Sequence, residues 1–114
     1  MTDDFSQRPA PESVRLIDFE EAKAVPGIVP GTFILVVSGE KPYASMTVRL
    51  VPLVYVRQPE YWGVEVTGTL PSGYLLPATA PYTEALPLDG VTGTRGVEVI
   101  GATRRERIDL PRDH

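Results

Sequence analysis

Val48-Arg49-Leu50-Val51-Pro52-Leu53-Val54-Tyr55-Val56-Arg57 runs through Gln58-Pro59-Glu60 into Tyr61-Trp62-Gly63-Val64-Glu65-Val66-Thr67, and this stretch decides the fold class. Two runs rich in β-branched and aromatic residues, joined by a proline-containing turn, predict a long β-hairpin. In the first arm the even positions Val48, Leu50, Val54 and Val56 form the expected core face. Arg49, Val51, Leu53, Tyr55 and Arg57 form the other. In the second arm Trp62, Val64 and Val66 share one face, and Tyr61, Glu65 and Thr67 the opposite one. Pro52 has no N–H to give a ladder, so the first arm carries a bulge there or lies at a sheet edge. A bulge would reverse the facing of every residue after it.

On the N-terminal side, residues 1–12 hold three acids and two prolines and read as a disordered tail. Val14 to Phe19 fits a first strand. Asp18 also fits the N-cap of a short helix through Glu20-Glu21-Ala22-Lys23-Ala24, with acids in its first turn where the helix dipole favours them. Pro26-Gly27 and Pro30-Gly31 mark turns. The apolar run Phe33-Ile34-Leu35-Val36-Val37 fits a strand buried on both faces. On the C-terminal side, one short strand is expected around Tyr82 to Leu88, another over Gly96 to Ala102, and a last one over Arg107 to Leu110. About seven short strands with turns between them predict a mainly β domain over 13–111 with at most one short helix. Its architecture is an antiparallel β-sandwich or a small, partly open β-barrel. Residues 112–114 are expected to fray.

Gly63-Val64-Glu65-Val66-Thr67-Gly68 is echoed by Gly96-Val97-Glu98-Val99-Ile100-Gly101. The echo does not extend, so it reads as shared strand chemistry rather than duplication. Two such strands suit equivalent places in a sheet.

Composition narrows function mainly by exclusion. The net charge of −4 opposes a phosphate backbone and speaks against nucleic acid as a partner. The chain has no cysteine, which removes disulfides, thiolate metal sites and thiol nucleophiles. The apolar runs are of strand length, far below the roughly 18 residues of a membrane helix, and the acidic N-terminus does not resemble a signal peptide. These features lead to the expectation of a soluble, cytoplasmic protein without a membrane partner. The single histidine is His114, at the end of the chain, where nothing would hold it for acid–base work. No catalytic residue, metal site or cofactor is therefore expected.

What remains is a concentration of aromatic and basic side chains. All five tyrosines and Trp62 fall between residues 43 and 82. Arg49, Tyr55, Arg57, Tyr61 and Trp62 form the candidate binding surface, because Tyr, Trp and Arg dominate binding hot spots. Glu65 and Glu98 form an alternative polar pair, if their strands meet with both on one face. The expected role is a small non-catalytic binding or assembly module. It would self-associate, as a dimer, through the outer-face residues Val51, Leu53 and Tyr55. The alternative is a small-ligand-binding barrel or enzyme with Tyr55, Arg57, Glu65 and Glu98 in an internal pocket. The C-terminal run Arg104-Arg105-Glu106-Arg107 reads as a salt-bridged edge strand.

Overall fold

The computed structural model describes residues 13–71 and 78–111. The expected tail over 1–12 and the expected fraying over 112–114, with His114, lie outside the described residues. The described chain is all strand and loop, in two facing sheets. Its eight strands are β1 (Ser13–Leu16), β2 (Glu21–Pro26), β3 (Phe33–Lys41), β4 (Thr47–Pro52), β5 (Tyr61–Leu70), β6 (Ala80–Pro87), β7 (Gly96–Ile100) and β8 (Arg105–Asp109). The short helix considered for 18–24 does not form. Glu21–Pro26 pairs antiparallel with Phe33–Ser38 instead, and this ladder outweighs the modest helix preference of Ala22-Lys23-Ala24. A far-ultraviolet circular dichroism spectrum should show β structure with helix below about 15%, against about 30–35% in ordinary soluble proteins. Helix at the ordinary level would contradict the fold.

One sheet holds β2-β3-β6, all antiparallel, and the other is built around β5. Along one edge β5 pairs with β4 over Val64 to Thr69. Along its other edge it pairs with two strands in succession, antiparallel with β1 over Thr67 to Leu70 and parallel with β7 over Tyr61 to Glu65. β8 then completes the sheet beside β7. The β-sandwich expectation holds. The sheets are not wholly antiparallel, however, because the echoed segments β5 and β7 run side by side in the same direction.

Alternation explains the core. Leu35 and Val37 of β3, Val48 and Leu50 of β4, Val64 and Val66 of β5, and Val97 and Val99 of β7 are buried between the sheets. Phe19, Met46, Tyr82 and Leu88 fill the ends and edges. In β3 the residues between these, Ile34, Val36 and Ser38, are only half-buried, so that strand is not buried on both faces as its apolar run suggested. Gly68 leaves the space that Met46 occupies: a Cβ there would lie 2.3 Å from the Met46 sulfur.

Two turns use glycine where the backbone demands it. Thr32 N–H donates to the Val29 carbonyl (3.1 Å), with Gly31 at φ 84°, and Val91 N–H donates to the Leu88 carbonyl (3.1 Å), with Gly90 at φ 78°. Both have the left-handed third residue of a type II turn.

The crossover from β1 to β2 is pinned to the β7–β8 turn. The Asp18 carboxylate accepts from the Thr103 N–H (2.7 Å) and hydroxyl (2.6 Å). The Arg104 guanidinium donates to the Phe19 and Glu20 carbonyls, stacks 4.4 Å from the Phe19 ring centroid and pairs with Glu106. The bonds from Thr103 hold the Asp18 carboxyl below its ordinary value. A lowered folded-state value stabilises the fold above the ordinary carboxylate range, and that contribution is lost as pH falls from about 4 downward. Asp18→Asn should cost about 1 kcal/mol at neutral pH, kept small by solvent exposure. It should also flatten the acid limb of the stability profile. An acid limb identical to that of the unmodified chain would exclude this role.

Candidate functional site

Beyond Pro52 the first hairpin arm stops being a strand. Leu53 N–H still donates to the Gly63 carbonyl (2.9 Å). The return bond of that pair is replaced by two side-chain bonds. Gly63 N–H donates to the Tyr55 hydroxyl (3.1 Å), and the Trp62 indole N–H donates to the Leu53 carbonyl (2.8 Å). The Tyr55 and Trp62 rings meet edge to face with centroids 5.1 Å apart. Gly63 makes this folding-back possible, since a Cβ there would lie 2.8 Å from Leu53 and 2.9 Å from the Tyr55 hydroxyl. Two corrections follow. Leu53 and Tyr55 are half-buried over Gly63 and Ile100, so the expected outer patch is reduced to Val51. Val54 and Val56, assigned to the core face, are 95% and 104% exposed. Pro52 ends the ladder, and with it the alternation on which that assignment stood.

The proposed binding residues therefore separate. Arg49 lies exposed on the outer face of β4, and Arg57 is exposed in the 53–60 loop. Trp62 packs against the core. Tyr61 lies on the outer face of the β5 sheet, where its hydroxyl donates to Asp109 and its ring lies under Arg107 (4.7 Å) and Arg95 (5.7 Å). Donation to the Asp109 carboxylate raises the Tyr61 phenol above its ordinary value. Around it Arg95 faces Glu60 (3.6 Å) and Asp109 (3.8 Å), while Arg107 and Arg105 face Glu98 (3.9 and 4.0 Å). Three arginines meet three carboxylates, so the array has no excess charge to offer a ligand. β8 is the salt-bridged edge strand that its sequence suggested.

Glu65 and Glu98 do share the outer face, but not as a pair. In the parallel register Glu98 lies opposite Gly63 and Glu65 opposite Ile100. Neither is among the residues that bound the cleft at the end of the sandwich. Among the described residues no group of three or more His, Cys, Asp or Glu is placed to hold a metal ion.

A concave feature lies elsewhere, at the end of the sandwich from which the 53–60 loop emerges. A cleft of about 420 Å³ is bounded by Gly31, Thr32 and Phe33 on one side, by the 88–95 loop on the other, and by Leu110 and Pro111. This volume lies in the range of roughly 300–1,000 Å³ typical of ligand sites. The 88–95 loop is fixed to the 53–60 loop: Gln58 donates to the Thr92 carbonyl (2.8 Å), Thr94 N–H to the Pro59 carbonyl and Arg95 N–H to the Glu60 carbonyl (both 2.9 Å). Across this end the order is thus the 27–32 turn, the cleft, the 88–95 loop and the 53–60 loop. The loops at this end carry exposed aliphatic side chains, Ile28 and Val29 (100% and 62% exposed) on the 27–32 turn and Val54 and Val56 on the 53–60 loop. Pro30-Gly31 was legible as a turn, Asp89-Gly90 was not singled out, and nothing local in the sequence shows that the two converge.

Comparison of the chain with protein-family models, with characterised proteins and with solved structures finds no match in any of the three.

Proposed function

We propose that this protein is a small non-catalytic binding or assembly module that self-associates, in a cytoplasmic setting, through the loop end of its sandwich. The observation that carries the proposal is the four exposed aliphatic side chains Ile28, Val29, Val54 and Val56 on two loops at one end of the fold. Scattered surface aliphatics are ordinary, but a cluster at one end beside a concave cleft marks an interaction site. The backbone of these loops is held by its own hydrogen bonds, so little ordering entropy opposes binding. The charged array around Tyr61 supports a non-catalytic role, because its arginines and carboxylates are engaged with one another.

Light scattering across a concentration series tests this directly. The mass should rise from 12.5 kDa toward twice that value between low-micromolar and several-hundred-micromolar protein. A monomer mass throughout that range overturns self-association.

The cleft volume favours one second reading, a site for a small molecule held between Phe33, Leu88 and the 88–95 loop. In that case a fragment screen read by amide shifts would map hits to residues 31–33 and 88–95. Hits scattered over other surfaces would remove this reading.

A further inference from the structure

We infer that two copies of this chain meet end to end about a two-fold axis, each seating its Val54–Val56 tip in the other's cleft. The inference rests on the self-association proposed above and specifies its geometry. Tip and cleft lie on either side of the 88–95 loop on a single end face. A two-fold axis lying in the contact plane and running along that loop, at right angles to the line from tip to cleft, carries each tip over the partner copy's cleft, and the arrangement closes on itself as a dimer.

Chemistry matches at both places. The cleft has apolar walls at Phe33, Leu88 and Leu110, suited to valine side chains. Charge is complementary as well. Arg57 follows Val56 on the tip and Asp89 stands on the cleft rim, and among the described residues neither forms an ion pair. The dimer brings Arg57 of each copy to Asp89 of the other. One short loop tip entering one cleft, twice over, makes a contact of the small, transient class that buries less than about 1,200 Å² in total.

The test uses the full chain and sedimentation velocity or light scattering over the same concentration range. Arg57→Glu and Asp89→Arg should each weaken self-association roughly tenfold or more, because each places like charges together twice in a two-fold dimer. The double variant R57E/D89R should recover it. Mixing the two single variants should also recover it, since one mixed dimer then contains two opposite-charge pairs. Val56→Asp should abolish association, with an unchanged circular dichroism spectrum showing that the exposed site does not affect folding.

Self-association that ignores V56D, R57E and D89R would overturn this geometry while leaving an assembly role in place. Absence of any association in the unmodified chain would overturn both. Failure of the mixed single variants to recover would reject the reciprocal two-fold arrangement.

Discussion

Gly96→Ala is expected to lower stability by about 3 kcal/mol or more, because the added methyl collides with main chain rather than with a side chain that can turn away. Gly96 is buried at the start of β7, and a Cβ there would lie 1.9 Å from the Ile108 carbonyl oxygen. Relief by movement is blocked on both sides. Gly96 pairs with Tyr61 of β5 and Asp109 of β8, and its carbonyl accepts from Gly93 N–H at 2.8 Å. For a domain of this size the loss corresponds to a melting-temperature drop of roughly 15 °C. Gly90→Ala is the control. It meets nothing within 4 Å, and its cost is the positive φ of 78° alone, about 1–2 kcal/mol. Equal melting temperatures for the two variants would show that the close approach at Ile108 is not the cause.

Trp62→Ala is expected to cost about 3 kcal/mol, near the lower end for a large aromatic because the ring is half-buried. Three losses combine: packing against the core, the edge-to-face contact with Tyr55, and the donor to the Leu53 carbonyl. The 53–60 loop should loosen as a result, and amide exchange at Leu53 and Gly63 should quicken. Tyr55→Phe removes only the acceptor for Gly63 N–H and should cost about 1 kcal/mol. A Trp62→Ala variant within about 1 kcal/mol of the unmodified chain, with exchange at those amides unaltered, would mean that the side-chain bonds do not hold the loop.

The inward faces of β4 and β5 were legible in the sequence because both are half-buried and alternate strictly. Val48, Leu50, Val64 and Val66 declared themselves. Pro52 was legible as an interruption that could reverse the facing of the residues after it, but not as the end of the ladder. Alternation assigns faces only while the chain remains a strand, so Val54 and Val56 were placed inward when they stand in solvent. Glu21–Pro26 was read only as part of a possible short helix, because the β3 edge that makes it a strand is not visible locally. The echo between β5 and β7 suggested equivalent places in a sheet, but periodicity carries no information about which strands pair or in which direction. The cleft was invisible for a related reason: its walls come from residues 31–33, 88–95 and 110–111, which only the folded chain assembles.

The division of one β5 edge between β1 and β7 has a consequence for how the protein is made. As the chain leaves the ribosome, β5 emerges with β1 and β4 already available. The Tyr61 to Glu65 half of its other edge waits until residues 96–100 have followed. Late in that interval, once residues 80–87 have followed, the three strands of the β2-β3-β6 sheet are all present, while the sheet meant to cover them exposes a row of unpaired amides and carbonyls. Such an edge can template pairing with another nascent chain. Release of the last two strands therefore both closes the sandwich and ends the period in which neighbouring polypeptides on a polysome can trap one another.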